Sequence, residues 1–135
     1  MNCFRAFINM RYYIWTGLWA AVVLVLCLLP PSEFKSAGFF FIGADKLVHT
    51  GMFFVFSILL FNAEIRRTKS PGFQFSLFFS VVAIAIFFAL LTEFLQWKFF
   101  TYRSAEWWDL FANFIGIGMA GFAYLTLHFF PRKKG

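Results

Sequence analysis

Long apolar runs alternate with short polar segments along the whole chain. Four runs approach the roughly 20 residues of helix that cross a bilayer, and their approximate bounds are 12–29, 47–63, 75–97 and 108–130. Helix breakers separate or end them: Pro30 and Pro31 follow the first run, Pro71 precedes the third, and Pro131 follows the fourth. No run alternates apolar and polar residues as a barrel strand does. The pattern therefore predicts an all-α, polytopic membrane protein, a four-transmembrane-helix bundle that forms one domain over residues 1–135.

Composition supports the same environment. Of 135 residues, 61% are hydrophobic and 13% are charged, and the mean hydropathy is +0.75. A soluble domain of this length could not bury 24 Phe side chains without leaving large apolar patches in water. The apolar content also excludes intrinsic disorder. The net charge of +6 is spread in small groups between the apolar runs, so we expect no nucleic-acid partner.

Basic residues are divided unequally between the two ends of the predicted bundle. Eight fall at the end that holds both chain termini: Arg5, Arg11, Arg66, Arg67, Lys69, Arg132, Lys133 and Lys134. Four fall at the other end: Lys35, Lys46, Lys98 and Arg103. The positive-inside rule then predicts a multi-pass protein of the cell membrane with both termini in the cytoplasm. The first run also has the basic flank of a signal peptide, but its length and the lack of a nearby cleavage site favour a retained span.

Polar residues of unusual chemistry gather at the outer ends of the second, third and fourth spans. They form three pairs, each on one helical face: Asp45 with His49, Glu93 with Gln96, and Asp109 with Asn113. An ionisable group in a span costs about 2.5–3.5 kcal/mol at mid-bilayer on insertion scales, so it is expected to face partners and not lipid. We therefore expect these faces to surround an extracytoplasmic, outward-opening pocket. Arg103, in the loop between the third and fourth spans, is placed to cap it.

The order and spacing of these residues resemble the pattern of VanZ-like membrane proteins. The matching positions, over roughly residues 40–121, are Asp45-Lys46-x-x-His49, Glu93-x-x-Gln96, Arg103, and Asp109-x-x-x-Asn113 followed by Gly116. Residues 99–102 depart from it, because a turn with Pro or Gly is expected there. The family is named for an accessory protein of teicoplanin resistance. The resemblance implies an envelope protein whose extracytoplasmic face influences how a lipoglycopeptide or a lipid-linked wall precursor engages the surface.

Binding of a polar headgroup is the first of three functions that the residues leave open. Lys46 and Arg103 would engage a phosphate or carboxylate of a membrane lipid or lipid-linked envelope precursor. Gln96 and Asp109, together with Glu93, would orient an amine, amide or sugar hydroxyl. Asn113 would contact the ligand or join helices, and both roles are compatible with its position.

The second function is that of an enzyme acting on a lipid-linked substrate. His49, oriented by Asp45, would be the general base and Glu93 the general acid. Water would have to be the nucleophile, because Ser104 lies in no nucleophile motif. In the third function the cluster is structural and the protein is an assembly partner. The oligomeric state is not determined by the sequence.

No cofactor and no metal are expected. The acidic residues and His49 provide one nitrogen and several oxygens, but no pair of them forms a dedicated ligand motif. Ala112, Gly116 and Ala120 recur every four residues in the fourth span. Small residues at this spacing predict close packing against another helix.

Overall fold

The computed structural model describes residues 10–29, 43–69, 72–99 and 107–130, and these residues form four long helices. A 3-10 turn, Arg11–Tyr13, leads into the first, and the helices are α1 (Ile14–Leu28), α2 (Ala44–Thr68), α3 (Phe75–Phe99) and α4 (Trp107–Phe129). No strand occurs in the described ranges. All four helices, the first together with its 3-10 turn, are long and apolar enough to cross a membrane. The predicted all-α, multi-pass fold is confirmed.

The helix α2 begins earlier than the apolar run at 47–63 suggests. Gly43 precedes it with φ of +94°, a left-handed conformation that glycine adopts without steric cost. Asp45 then lies in the first turn, where a carboxylate interacts favourably with the helix dipole. The charged residues just before the apolar run therefore belong to the helix and not to the loop.

The same helix also extends further at its C-terminus. Arg66 and Arg67 lie in its last turn, where positive charge complements the dipole. Lys69 ends the helix with φ of 54°, and its backbone N–H donates to the Ile65 carbonyl at 2.9 Å. Hydropathy alone ends the segment too early, because it does not register this stabilisation of polar residues at a helix end.

The backbones of α2 and α4 approach each other closely. A Cβ atom built on Gly116 would lie 2.2 Å from the Thr50 carbonyl oxygen and 2.9 Å from the Phe54 nitrogen. Ala112 and Ala120 are buried in the same helix, and Thr50 Oγ1 donates to the Ala112 carbonyl at 3.1 Å. The predicted packing role of the small residues is confirmed. This crossing also brings the part of α2 just before Thr50 against the part of α4 just before Gly116.

Aromatic side chains fill much of the interior between the helices. Phe56 stacks on Phe88 with ring centroids 4.7 Å apart, and Phe53 lies 5.8 Å from the same ring. Further along the bundle Phe61 stacks on Tyr124 at 4.6 Å. Many other large apolar side chains lie on the outer surface, as expected for helices that contact lipid.

The bundle has two chemically different ends. The end at which α2 and α4 begin and α1 and α3 finish is called the polar end. The opposite end, at which α1 and α3 begin and α2 finishes with Arg66 and Arg67, is called the basic end.

Candidate functional site at the polar end

Three helices contribute side chains to one group of polar residues, called the polar cluster. Its members are Asp45, Lys46 and His49 from α2, Glu93 from α3, and Asp109 and Asn113 from α4. Because α2 and α4 begin at the polar end and α3 finishes there, these residues lie at a similar level along the bundle. The close crossing at Gly116 then brings the polar faces of α2 and α4 within contact distance.

Lys46 forms the accessible rim of the polar cluster. Its Nζ lies 3.0 Å from Asp45 Oδ2 and 3.2 Å from Asp109 Oδ1. The Lys46 side chain is 35% exposed, whereas that of Asp109 is 5% exposed. The ammonium group thus joins a carboxylate near the surface to one that is buried, and it links α2 to α4.

The imidazole ring of His49 is held by two residues of α4. Its Nδ1 lies 3.0 Å from Asn113 Oδ1, and its Nε2 lies 3.9 Å from Asp109 Oδ2. The second contact is an ion pair when the ring is protonated. The sequence pairs His49 with Asp45, but in the structure the ring lies against these α4 residues and Asp45 binds Lys46. The difference arises because the sequence shows neighbours along one helix but not those across a helix crossing.

Asn113 and Glu93 form the floor of the polar cluster. Asn113 is completely buried, and its Nδ2 donates to Glu93 Oε1 at 3.4 Å. With Nδ2 donating to a carboxylate, Oδ1 accepts from His49 Nδ1. Glu93 is also buried, and burial without hydrogen-bond partners is costly for a carboxyl group. Hydrogen-bond donors are therefore needed around this carboxyl group.

Gln96 and Arg103 are the two other predicted ligand-binding residues. Gln96 is buried and its Nε2 donates to the Cys27 carbonyl at 2.9 Å. Because the last carbonyls of a helix have no partner within it, this bond ties the C-terminus of α1 to α3. A role for Gln96 in ligand binding stays a prediction. Arg103 and Ser104 lie outside the described residues.

Among the interhelical contacts that sequence reasoning overlooked, two have a side-chain hydroxyl as the donor. The first is the bond from Thr50 to the Ala112 carbonyl beside the polar cluster. The second lies at the basic end, where the Tyr13 hydroxyl donates to Glu64 Oε1. Arg67 donates to Glu64 Oε2 from Nη2 at 2.7 Å and from Nε at 3.0 Å. The available signal was an acidic residue, Glu64, that directly follows the apolar run and lies three positions before Arg67.

The polar cluster offers proton exchange at an oriented imidazole, carboxylate acceptors and one accessible ammonium donor. Over the ranges that the structure describes, no group of three or more His, Cys, Asp or Glu side chains is arranged to hold a metal ion.

Comparison of the chain with known protein families and characterised proteins, and of its fold with solved structures, gives no match. The resemblance to VanZ-like proteins thus depends on the residue pattern alone. The chain is a multi-pass membrane protein with helices that cross closely and a buried polar cluster at one end.

Proposed function

We propose that the protein is a VanZ-like protein of the cell membrane and that its polar cluster binds the headgroup of a lipid-linked or glycopeptide-type envelope ligand. One observation carries this proposal: the contacts continue from the half-exposed Lys46 through Asp109 and His49 to the fully buried Asn113. A site that recognises a polar group needs an accessible entrance and a few convergent polar groups in a largely apolar surrounding. This gradient of burial provides both.

The proposed orientation has both termini in the cytoplasm and the polar end on the extracytoplasmic side. The distribution of Lys and Arg in the sequence supports it through the positive-inside rule. Envelope precursors and glycopeptides are then encountered at the polar end. Three Trp side chains are exposed at this end: Trp97, Trp107 and Trp108. Exposed Trp is typical of the level of the lipid headgroups.

Five of the six members of the polar cluster have a role in this proposal. Lys46 donates to a phosphate or carboxylate of the ligand, aided by Arg103 from the loop that the sequence places nearby. Asp109 and Glu93 accept hydrogen bonds from amine, amide or sugar hydroxyl groups. His49 holds Asp109 across the α2–α4 contact, and Asn113 holds Glu93 across the contact of α4 with α3.

Native mass spectrometry of the protein extracted in mild detergent tests the binding function. We expect an envelope lipid to co-purify with the wild type and the substitution Lys46→Gln to reduce its retention about tenfold, because a charged hydrogen bond is lost. Lys98→Gln is the matched control: Lys98 is an exposed lysine near the same end, and its Nζ lies 6.0 Å from the Phe94 ring. Equal retention by Lys46→Gln and Lys98→Gln would contradict the proposal.

A second candidate function is acid–base catalysis on a lipid-linked substrate. The observation that favours it is the imidazole of His49, which Asp109 and Asn113 hold in one orientation. Water would be the nucleophile, with His49 as general base and Glu93 as general acid. If this function is correct, His49→Asn abolishes conversion of the co-purified ligand in a single-turnover assay but leaves it bound. Full conversion by this variant would exclude the enzymatic function and leave the binding function intact.

A further inference from the structure

A cavity lies at the basic end, far along the bundle from the polar cluster. It has a volume of about 300 Å³ and opens between the start of the first helical segment and the last turns of α2. Arg11 and Trp15 line one side, and Asn62 and Arg66 line the other. A volume of this size is at the lower end of the range for small-molecule sites, so it fits a headgroup and not a whole lipid.

The cavity carries positive charge that the described part of the chain does not neutralise. Arg66 donates its Nε–H to Asn62 Oδ1 at 3.0 Å, a bond to a neutral amide. The next residue, Arg67, differs because its guanidinium is paired with Glu64. Neither Arg11 nor Arg66 forms an ion pair within the described ranges. Two arginine residues therefore line one cavity, and none of the described residues that line it is acidic.

The bond between Arg66 and Asn62 also presets the donors around the cavity. Asn62 lines the cavity, and because its Oδ1 accepts from Arg66, its Nδ2 is the donor that this amide offers to a ligand. The bond to Nε leaves the two Nη groups of Arg66 as a planar fork, the geometry that matches two oxygens of a phosphate. The site is thus rich in donors, as an anion requires.

The rest of the lining is apolar and aromatic. Leu59 and Ala63 form part of the wall, and Tyr12 and Trp15 complete it on the α1 side. Trp15 is 71% exposed on the outer surface of the bundle, and Trp and Tyr are enriched at the level of lipid headgroups. A ligand seated here would place its charge between the arginines and its apolar stem along a surface that faces lipid.

We propose that this cavity binds the phosphate of an anionic phospholipid in the leaflet at the basic end. Arg11 and Arg66 contact the phosphate oxygens, and the amide of Asn62 contacts a headgroup hydroxyl. Basic pockets between transmembrane helices are suited to anionic headgroups, because positive charge is held at the headgroup level by rigid helices. The inference concerns the end opposite the polar cluster and does not depend on the function proposed for that cluster.

Native mass spectrometry of the full chain, titrated with phosphatidylglycerol or phosphatidylcholine, tests the site. We expect preferential binding of phosphatidylglycerol. Each of the substitutions Arg11→Gln and Arg66→Gln should weaken it about fivefold, because each removes one cationic contact. Lys69→Asn is the matched control, since it removes an exposed positive charge at the same end and keeps a residue that tolerates a positive φ. An equal loss in this control would show diffuse charge attraction and overturn the proposal.

Two further experiments distinguish binding of a lipid in the cavity from general attraction between the basic end and anionic lipid. Leu59→Trp fills the cavity without changing charge and should reduce phosphatidylglycerol binding while phosphatidylcholine binding stays unchanged. Unaltered phosphatidylglycerol binding by this variant would contradict the location. Free glycerol phosphate at millimolar concentration should compete poorly, because it lacks the apolar stem. If glycerol phosphate competes as strongly as added phosphatidylglycerol does, the ligand is a free phosphate compound and the lipid assignment is wrong.

Discussion

Both ends of this bundle carry polar and charged side chains, but the contacts of these side chains differ. At the polar end, His49, Asp109 and Asn113 are buried and their contacts cross from one helix to another. At the basic end, Arg66 and Arg67 are exposed and bond to residues three or four positions earlier in the same helix. One network is built by the tertiary structure, whereas the other exists largely within α2.

The comparison shows that the placement of a charge decides what it contributes. A buried polar group in an apolar bundle must keep its partner, because losing it leaves a desolvated donor or acceptor. An exposed pair within one helix exchanges its partner for water or headgroups at little cost. The polar cluster should therefore be sensitive to changes in helix packing, whereas the basic end should tolerate them.

The largest effect is expected from Gly116→Ala. The added methyl group would lie 2.2 Å from the Thr50 carbonyl oxygen, so α2 and α4 must separate. We expect a loss of about 3 kcal/mol in the free energy of unfolding, measured by denaturant titration in detergent micelles. Gly118→Ala is the control in the same helix, because a Cβ there meets no atom within 4 Å. Equal stability of the two variants would disprove the close crossing.

Replacing Asn113 by Leu should have the next largest effect. Leu keeps the volume but leaves the ring of His49 and the carboxyl group of Glu93 without this amide. We expect a loss of about 2 kcal/mol in the same unfolding assay. Asn62→Leu, at an exposed site at the basic end, should change stability by less than about 0.5 kcal/mol. Similar losses in both variants would contradict the difference between the ends.

Tyr13→Phe tests the basic-end contact that does cross between helices. The variant removes the hydroxyl that donates to Glu64, while Arg67 continues to neutralise this carboxylate. We expect destabilisation of about 1 kcal/mol, with faster amide hydrogen exchange at the start of α1. Tyr12→Phe should leave both measurements unchanged. Equal stability and equal exchange rates in the two variants would contradict a stabilising contact between Tyr13 and Glu64.

The smallest effect on stability is expected from Arg66→Gln. Arg66 is exposed, and its bond to Asn62 lies within α2. The free energy of unfolding should change by less than about 0.5 kcal/mol, even though phosphatidylglycerol binding weakens. A loss above about 1 kcal/mol would mean that the cavity at the basic end is part of the folding core and not a surface site.

Hydropathy located all four helices, but the ends of α2 required more information. The apolar run at 47–63 omits Asp45 at one end and Arg67 at the other; the spacing of Asp45 from His49 predicts that Asp45 is helical, whereas the sequence analysis did not extend the helix to Arg67. Polar residues lower the apolar average even where the helix dipole and neighbouring charges stabilise them. The candidate site shows the same limit: the sequence singled out its residues, but it paired His49 with Asp45 along α2.

The sequence by itself determined that this chain has four membrane-crossing helices, and it placed the polar residues near one end. Those properties follow from the length of apolar runs and from the cost of putting charge in lipid, and both depend only on local composition. The tertiary structure alone decided that Gly116 brings α4 against Thr50, that Asp109 and Asn113 hold His49, and that Gln96 ties α3 to α1. Such contacts depend on the rotation and crossing of whole helices, which packing between their surfaces fixes and which no single helix encodes.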